Sequence, residues 1–269
     1  LELFVHDVDE HKPAGPPPPI YRTHGHLYYI SVGRENTAVV DLLAGYAFGF
    51  LSLSMVRHRS LLRFTFLEGV ALAMLGPARQ FIPVHAACVV KENESVLLLG
   101  EAGAGKSTLA YACVRRGYRL LTEDGLMIKC RPDGPRLWGM PWKLHLLDDA
   151  KRFFPELACE QPKLQINGEW KLEVRPEVYY PGSTVPCAGP GRVVFLERGQ
   201  GPGPTRVEPL LPQEGLPRFE VVWPWWVGWS DAMERQLPRL LERGSYRLSM
   251  NGSPDEAVDS LGALLGASG

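Results

Sequence analysis

From His26 to Leu43 the apolar residues come in short alternating or bunched runs, "HLYYISV" and "NTAVVDLL", and this spacing predicts two strands. The apolar region from Phe48 to Leu75 is longer and predicts at least one helix, with "LLRFTFLEGVALAML" (Leu61 to Leu75) as a buried one. That stretch contains Arg63 and Glu68 and is shorter than the roughly 20 residues a bilayer span requires, so it predicts no membrane crossing. Ahead of these runs, "HKPAGPPPPIYR" (His11 to Arg22) reads as a polyproline-like surface segment, because consecutive prolines fix φ and remove donors. Residues 1–80 are therefore expected to form a small α+β part.

From Val84 the pattern changes. "VHAACVV" and "SVLLLG" are β-rich runs separated by the polar "KENE", which predicts a hairpin. Closing it about Glu92 and Asn93 pairs residues whose numbers sum to 185, and continuing that register sets His85 opposite Gly100. "STLAYACVRRG" then predicts a helix capped by Gly117, and "YRLLTED" the next strand. Beyond Pro132 loops dominate around a buried strand "RVVFLE" (Arg192 to Glu197). "DAMERQLPRLLERG" predicts a helix kinked near Pro238, "YRLSM" a strand, and "SPDEAVDSLGALLG" a helix opened by Ser253 with Pro254 at its first position and Glu256 in a capping box. A second domain is expected over 81–269.

The residues between the two central strands carry a specific chemistry. Gly100-Glu-Ala-Gly-Ala-Gly-Lys-Ser107 fits G-x-x-x-x-G-K-[ST] in full. In such a loop Gly100, Ala102, Gly103, Ala104, Gly105, Lys106, Ser107 and Thr108 surround a nucleotide's phosphates: backbone N–H groups face the phosphate oxygens, Lys106 reaches the outer phosphates and Ser107 ligates Mg²⁺. The helix that begins there adds its positive end. Glu123 and Asp124 close the next strand, and if that strand runs parallel to "SVLLLG" both acids open onto the same crevice. Such a pair can hold Mg²⁺ with one member and take a proton from an attacking hydroxyl with the other. His85 is expected beside the reacting phosphate.

Composition narrows the partners. Formal net charge is -1 over 269 residues, so no global basic field recruits nucleic acid or an anionic membrane. Cys88, Cys113, Cys130, Cys159 and Cys187 are widely spaced without a C-x-x-C pair, which signals neither a disulfide framework nor a zinc site and fits a reducing cytoplasm. His6, His11, His24, His26 and His58 show no zinc-ligand spacing.

A strand starting with His, a phosphate loop and a strand ending in two acids resembles the HPr kinase-like serine kinases, of the same structural group as phosphoenolpyruvate carboxykinase. The resemblance is close over "VHAACVVKENESVLLLGEAGAGKSTLAYACVRRGYRLLTEDGLMI" (Val84 to Ile128) and looser at "LWGMPWKLHL" and "RVVFLERG". It implies an α/β fold in which a P-loop-containing HPr kinase/carboxykinase-like catalytic domain follows the small N-terminal part. It also implies ATP and Mg²⁺ as cofactors, with Lys106 in the triphosphate cradle, Ser107, Glu123 and Asp124 toward the metal, and Asp124, Glu123, His85 and Lys106 in catalysis. Glu123 stands where the family usually has Asp, and no V-R-P-G-R-N-like signature occurs near the C-terminus; "VRPEVYYPG" is only an echo. Size and motif set are similar to the short relatives that include the lasso-peptide precursor kinases, which phosphorylate a C-terminal serine.

The expected function is thus Mg·ATP-dependent phosphorylation of a serine in a peptide or small protein, with HPr as the alternative acceptor and an ATP-gated binding module, or a small-molecule or carboxykinase-like enzyme, as other readings. Lys143, Lys171 and Arg175 are the outlying candidates for contact with phosphate or an acidic terminus. "VVWPWWVGW" (Val221 to Trp229), with four of the seven tryptophans, is either packed or a peptide-docking surface, and a homo-oligomer is compatible with it.

Overall fold

The computed structural model describes residues 1–6, 17–75, 81–129, 131–165, 168–199, 203–222 and 231–266. Two units are present, one over Leu1–Ile82 and the other over Pro83–Gln165 and Trp170–Gly269. In the first, strands β1 (Glu2–His6), β2 (Ile20–His24), β3 (Leu27–Val32), β4 (Asn36–Asp41) and β5 (Tyr46–Ser52) form a sheet ordered β1-β5-β4-β3-β2. Alternation decides its faces: Tyr28, Ile30, Val32, Ala38, Val40, Ala47 and Leu51 are buried against Met55, Leu61, Phe66 and Val70 from a helical stretch over 53–75. That stretch is not buried all round as expected, since Phe64 and Leu67 are exposed. Its middle, Leu62–Glu68, is a π-helix, and the wider turn brings Arg63 Nε to 2.6 Å from Glu68 Oε1, five residues on. Ile20–Arg22, the end of the expected polyproline segment, is strand instead, while positions 11–16 lie outside the described residues.

Strand β6 (Phe81–His85) carries the chain from the first unit into the second, which continues with β7 (Ala87–Lys91) and β8 (Glu94–Leu99). Ala87 pairs with Leu98 and Lys91 with Glu94, the expected register, and Glu92 takes the positive φ of 55° that a two-residue turn demands. Val84 and His85 are not part of this hairpin, however. The chain breaks at Ala86, and β6 joins a separate sheet ordered β15-β11-β10-β6 with β10 (Gly125–Lys129), β11 (Arg136–Trp138) and β15 (Cys187–Ala188). The ladder continuing to His85 and Gly100 is therefore absent. A backbone bond from Ala86 N to Asp124 O, 2.9 Å, ties this break to the acidic strand end instead.

The main sheet is ordered β17-β18-β16-β8-β7-β9, with β9 at Arg119–Thr122, β16 at Arg192–Arg198, β17 at Arg206–Leu210 and β18 at Ser245–Met250. β16 is parallel to both β8 and β18, and β9, antiparallel to β7, runs in the direction of β8 with the hairpin strand between them. The C-terminal ends of β8 and β9 thus open on the same side, the arrangement that places ligands at strand ends in α/β sheets. Helix α1 (Lys106–Arg115) covers one face. Its Leu109, Ala110 and Cys113 share a core with Leu98, Val194, Leu196 and Leu248 of the sheet and Leu261 of a second helix, Pro254–Gly266. Tyr111 packs edge-on against Phe154 at 4.8 Å, a contact that fixes ring geometry beyond the area buried. α1 ends as expected: Gly117 (φ 83°) donates to Val114 O and Tyr118 N to Cys113 O, the paired bonds that satisfy a helix's last carbonyls.

A third small sheet, β12-β14-β13, is built from β12 (Leu144–Leu146), β13 (Lys163–Leu164) and β14 (Trp170–Val174). Leu144, Leu146, Leu172 and Val174 turn into the core, so the alternate positions His145 and Glu173, paired across the strands, face the other way. The helix Asp231–Leu241 runs on through Pro238. Positions 223–230, which hold all the tryptophans of the Trp-rich segment, lie outside the described residues.

Candidate active site

β8 delivers the chain into the glycine loop, whose backbone only glycine tolerates at its ends. Gly100 has φ 152°, and a Cβ there would stand 2.8 Å from Leu196 O on the adjoining strand. Gly105 has φ 100° and caps α1 without a side-chain bond, which leaves the first-turn N–H groups for a ligand. Lys106 is buried, and its Nζ donates to Gly100 O at 2.8 Å and Glu101 O at 3.2 Å. Burial holds this ammonium below its ordinary pKa, against the opposing pull of Asp124 and Glu123.

The strand that ends in the two acids carries a bulge between β7 and β9 at Cys88 and Val89, and Thr122 Oγ1 closes the turn that follows by donating to Gly125 O at 3.0 Å. The acids leave that turn in different settings. Glu123 is 11% exposed, and its Oε1 accepts from Ser107 Oγ at 2.8 Å. Asp124 is 60% exposed, with Oδ1 at 2.7 Å from His85 Nδ1. Loss of water around the covered part of Asp124 works to raise its pKa. The hydrogen bond and charge of His85, with the charges of Lys106 and His145, outweigh it and hold the carboxyl below its ordinary value.

His145 is the residue that sequence reasoning missed. Its Nδ1 lies 2.8 Å from Glu123 Oε2, and because a carboxylate only accepts, Nδ1 is the donor. Its Nε2 lies 3.9 Å from Glu173 Oε1. The only sequence signal was a polar residue between two core leucines in "LHL", and nothing local says that it faces the acids.

Among the outlying candidates, Lys143 Nζ pairs with Glu173 Oε1 at 2.6 Å and so stands one ion pair from His145. Lys171 lies two residues before Glu173 on β14, opposite Lys163, which also bonds Glu173. Arg175 is exposed beyond the strand, where it begins the short helix Pro176–Tyr179. Ala102 is exposed in the loop, and Thr108 is half-buried in the first turn of α1.

Burial raises the Glu173 carboxyl, but its bonds to Lys143 and Lys163 more than reverse this and bring it from 4.5 down to about 2. A depressed carboxyl stabilises the fold above its unfolded value and loses that contribution as pH falls through its folded one. Glu173→Gln should therefore flatten the loss of stability between pH 4.5 and 2, read as urea midpoints across that range. An unchanged acid limb would show that the ion pairs contribute nothing.

The residues fit a Mg²⁺-bound nucleotide. A buried ammonium satisfied by its own loop's carbonyls, a first helical turn with no side-chain cap, and a hydroxyl–carboxylate set made of oxygens suit phosphates and a hard divalent ion. No cluster of three or more His, Cys, Asp or Glu disposed to hold a metal occurs among the described residues. Mg²⁺ bound with phosphates needs one or two carboxylates and keeps waters. Cys88, Cys113, Cys159 and Cys187 are free, and among the described residues no helix is long and apolar enough to cross a membrane.

Known proteins share part of this chain. An HPr kinase/phosphorylase of Lachnoclostridium phytofermentans is 36% identical over 76 residues, 28% of this chain and 22% of that protein. One of Streptococcus thermophilus is 39% identical over 67 residues, 24% of this chain and 21% of that protein. The chain thus spans about a fifth of the length of the curated relatives it matches. No family model matches. The solved structure of the Hpr(Ser) kinase/phosphatase from Coxiella burnetii overlays with a TM-score of 0.37 at 15% identity, over 70% of this chain and 99% of that one, too distant to carry an inference.

Proposed function

We propose that this HPr kinase-like chain is a Mg·ATP-dependent kinase that phosphorylates a serine hydroxyl in a peptide or small protein. The observation that carries the reading is the unequal setting of the two acids. Glu123 is largely shielded and bonded to Ser107 Oγ, so it serves the metal side together with Ser107. Asp124 is exposed and stays ionised, so its carboxylate is the proton acceptor for an incoming hydroxyl. His85 fixes the orientation of Asp124 through its 2.7 Å contact. Lys106, once drawn from the carbonyls of Gly100 and Glu101, neutralises phosphate charge. Bound to these residues, Mg·ATP supplies the transferable phosphoryl group and the divalent charge that eases its in-line transfer.

The acceptor we favour is a precursor peptide of the lasso type with serine at its C-terminus. Lys163, Lys171 and Lys143 lie on and beside the sheet face that carries His145, and lysines there suit an acceptor whose terminal carboxylate lies near the reacting hydroxyl. Lys171 and Arg175 would meet that terminus, and HPr is the competing acceptor. The test is mass spectrometry after incubation with Mg·ATP and either HPr or a synthetic peptide ending in serine. Phosphate on the peptide alone supports this acceptor, and phosphate on HPr alone replaces it with the alternative. A protein that binds ATP yet modifies neither acceptor overturns this assignment in favour of an ATP-gated binding module.

A further inference from the structure

We infer that His145 is a positioning residue for the phosphate site: it locks Glu123 in the rotamer that holds Ser107 Oγ. This rests on the kinase reading and extends it to residues outside the loop motif and the acidic pair. The geometry is a chain of contacts. Ser107 Oγ donates to Glu123 Oε1 at 2.8 Å, His145 Nδ1 meets Glu123 Oε2 at 2.8 Å, and His145 Nε2 stands 3.9 Å from Glu173 Oε1. Glu173 is held in turn by Lys143 at 2.6 Å and Lys163 at 3.2 Å.

Both oxygens of Glu123 are thereby engaged, one by the hydroxyl of the loop and one by the imidazole. A carboxylate on two or three rotatable bonds loses its orientation unless its second oxygen is also held, and partners of this kind commonly change metal affinity by about 10- to 100-fold when removed. The short contact of Asp124 is with a different histidine, His85. Each histidine thus makes its short contact with a different acid, while the charge of His145 also reaches Asp124.

The experiment is titration of fluorescent ADP into the full chain with and without Mg²⁺, for wild type, His145→Ala, His145→Asn and His145→Gln. In His145→Ala the metal-free affinity should stay at the wild-type level, because the loop backbone and Lys106 are untouched. The gain in affinity on adding Mg²⁺ should fall by roughly tenfold or more. Asn places an N–H near the position of Nδ1 and should restore most of that gain, whereas Gln reaches toward the position of Nε2 and should not. A Mg²⁺ gain unchanged in His145→Ala overturns the inference, as does equal loss in the Asn and Ala variants. So does a fall in metal-free affinity of the same size, which would mark a merely structural role. A wild type that binds no ADP under either condition overturns the kinase reading itself, and is told apart by the control alone.

Discussion

Replacing Asp124 by Asn should lower phosphotransfer by roughly 10²- to 10⁴-fold while leaving ADP affinity within about threefold of wild type, the span usually lost with a positioned general base. The separation follows from the site. Asp124 is the more exposed acid, it is bonded to His85 rather than to the loop, and Asn keeps its shape and can still accept from the imidazole. What the substitution removes is the basic carboxylate that His85, Lys106 and His145 keep ionised. The measurement is a single-turnover time course beside an equilibrium titration of ADP. Transfer at the wild-type rate would mean that the proton leaves by another route and that Glu123 or solvent takes it. A parallel loss of affinity would instead place Asp124 on the metal.

Lys106→Met should do the reverse to binding. Truncating one side of a buried charge interaction costs about 3 kcal/mol, so ADP affinity should weaken by roughly two orders of magnitude. Fold stability should hold or rise slightly. The free lysine is buried with its pKa lowered by that burial, and its ammonium is satisfied only by two carbonyls of its own loop among the contacts described. Methionine keeps the apolar stem and removes the buried charge, which in the absence of ligand is a cost rather than a gain. Urea midpoints and ADP titrations on the same preparation check both halves. Normal ADP binding by the Lys106→Met variant would remove the loop from the phosphate site, and a marked loss of stability would mean that the two carbonyl bonds outweigh the desolvation of the ammonium.

Much of this region was legible because its information is local. The loop motif, the strand before it and the helix after it lie within a few residues of one another. The polar turn between two β-rich runs set the hairpin register that pairs Ala87 with Leu98. The helix end at Gly117 was readable for the same reason: a positive φ there is a property of one residue and its neighbours. His85 shows where local reading stops. Continuing the hairpin ladder toward Gly100 put it beside the loop, but the chain leaves the ladder at Ala86 and reaches Asp124 through a different sheet. Alternation alone does not say with which partner a strand will pair. The stretch from Leu61 to Leu75 misled in another way: its apolar content is high enough for a buried helix, yet the π turn over Leu62–Glu68 rotates Phe64 and Leu67 outward.

The order of residues along the chain was enough to place a glycine loop of the G-x-x-x-x-G-K-S pattern and to bring two carboxylates to a strand end, since each depends on short spacing and the loop on backbone angles that favour glycine. Which acid is shielded, and which histidine holds it, depended on packing between distant segments. Glu123 is shielded and Asp124 open because a bulge re-aims the end of β9 and because β12, a three-residue strand, turns His145 toward it. A strand so short carries too little pattern to specify its register or its neighbour. Its place is set by the leucines on its other face finding the common core, and the imidazole reaches Glu123 as a consequence of that burial.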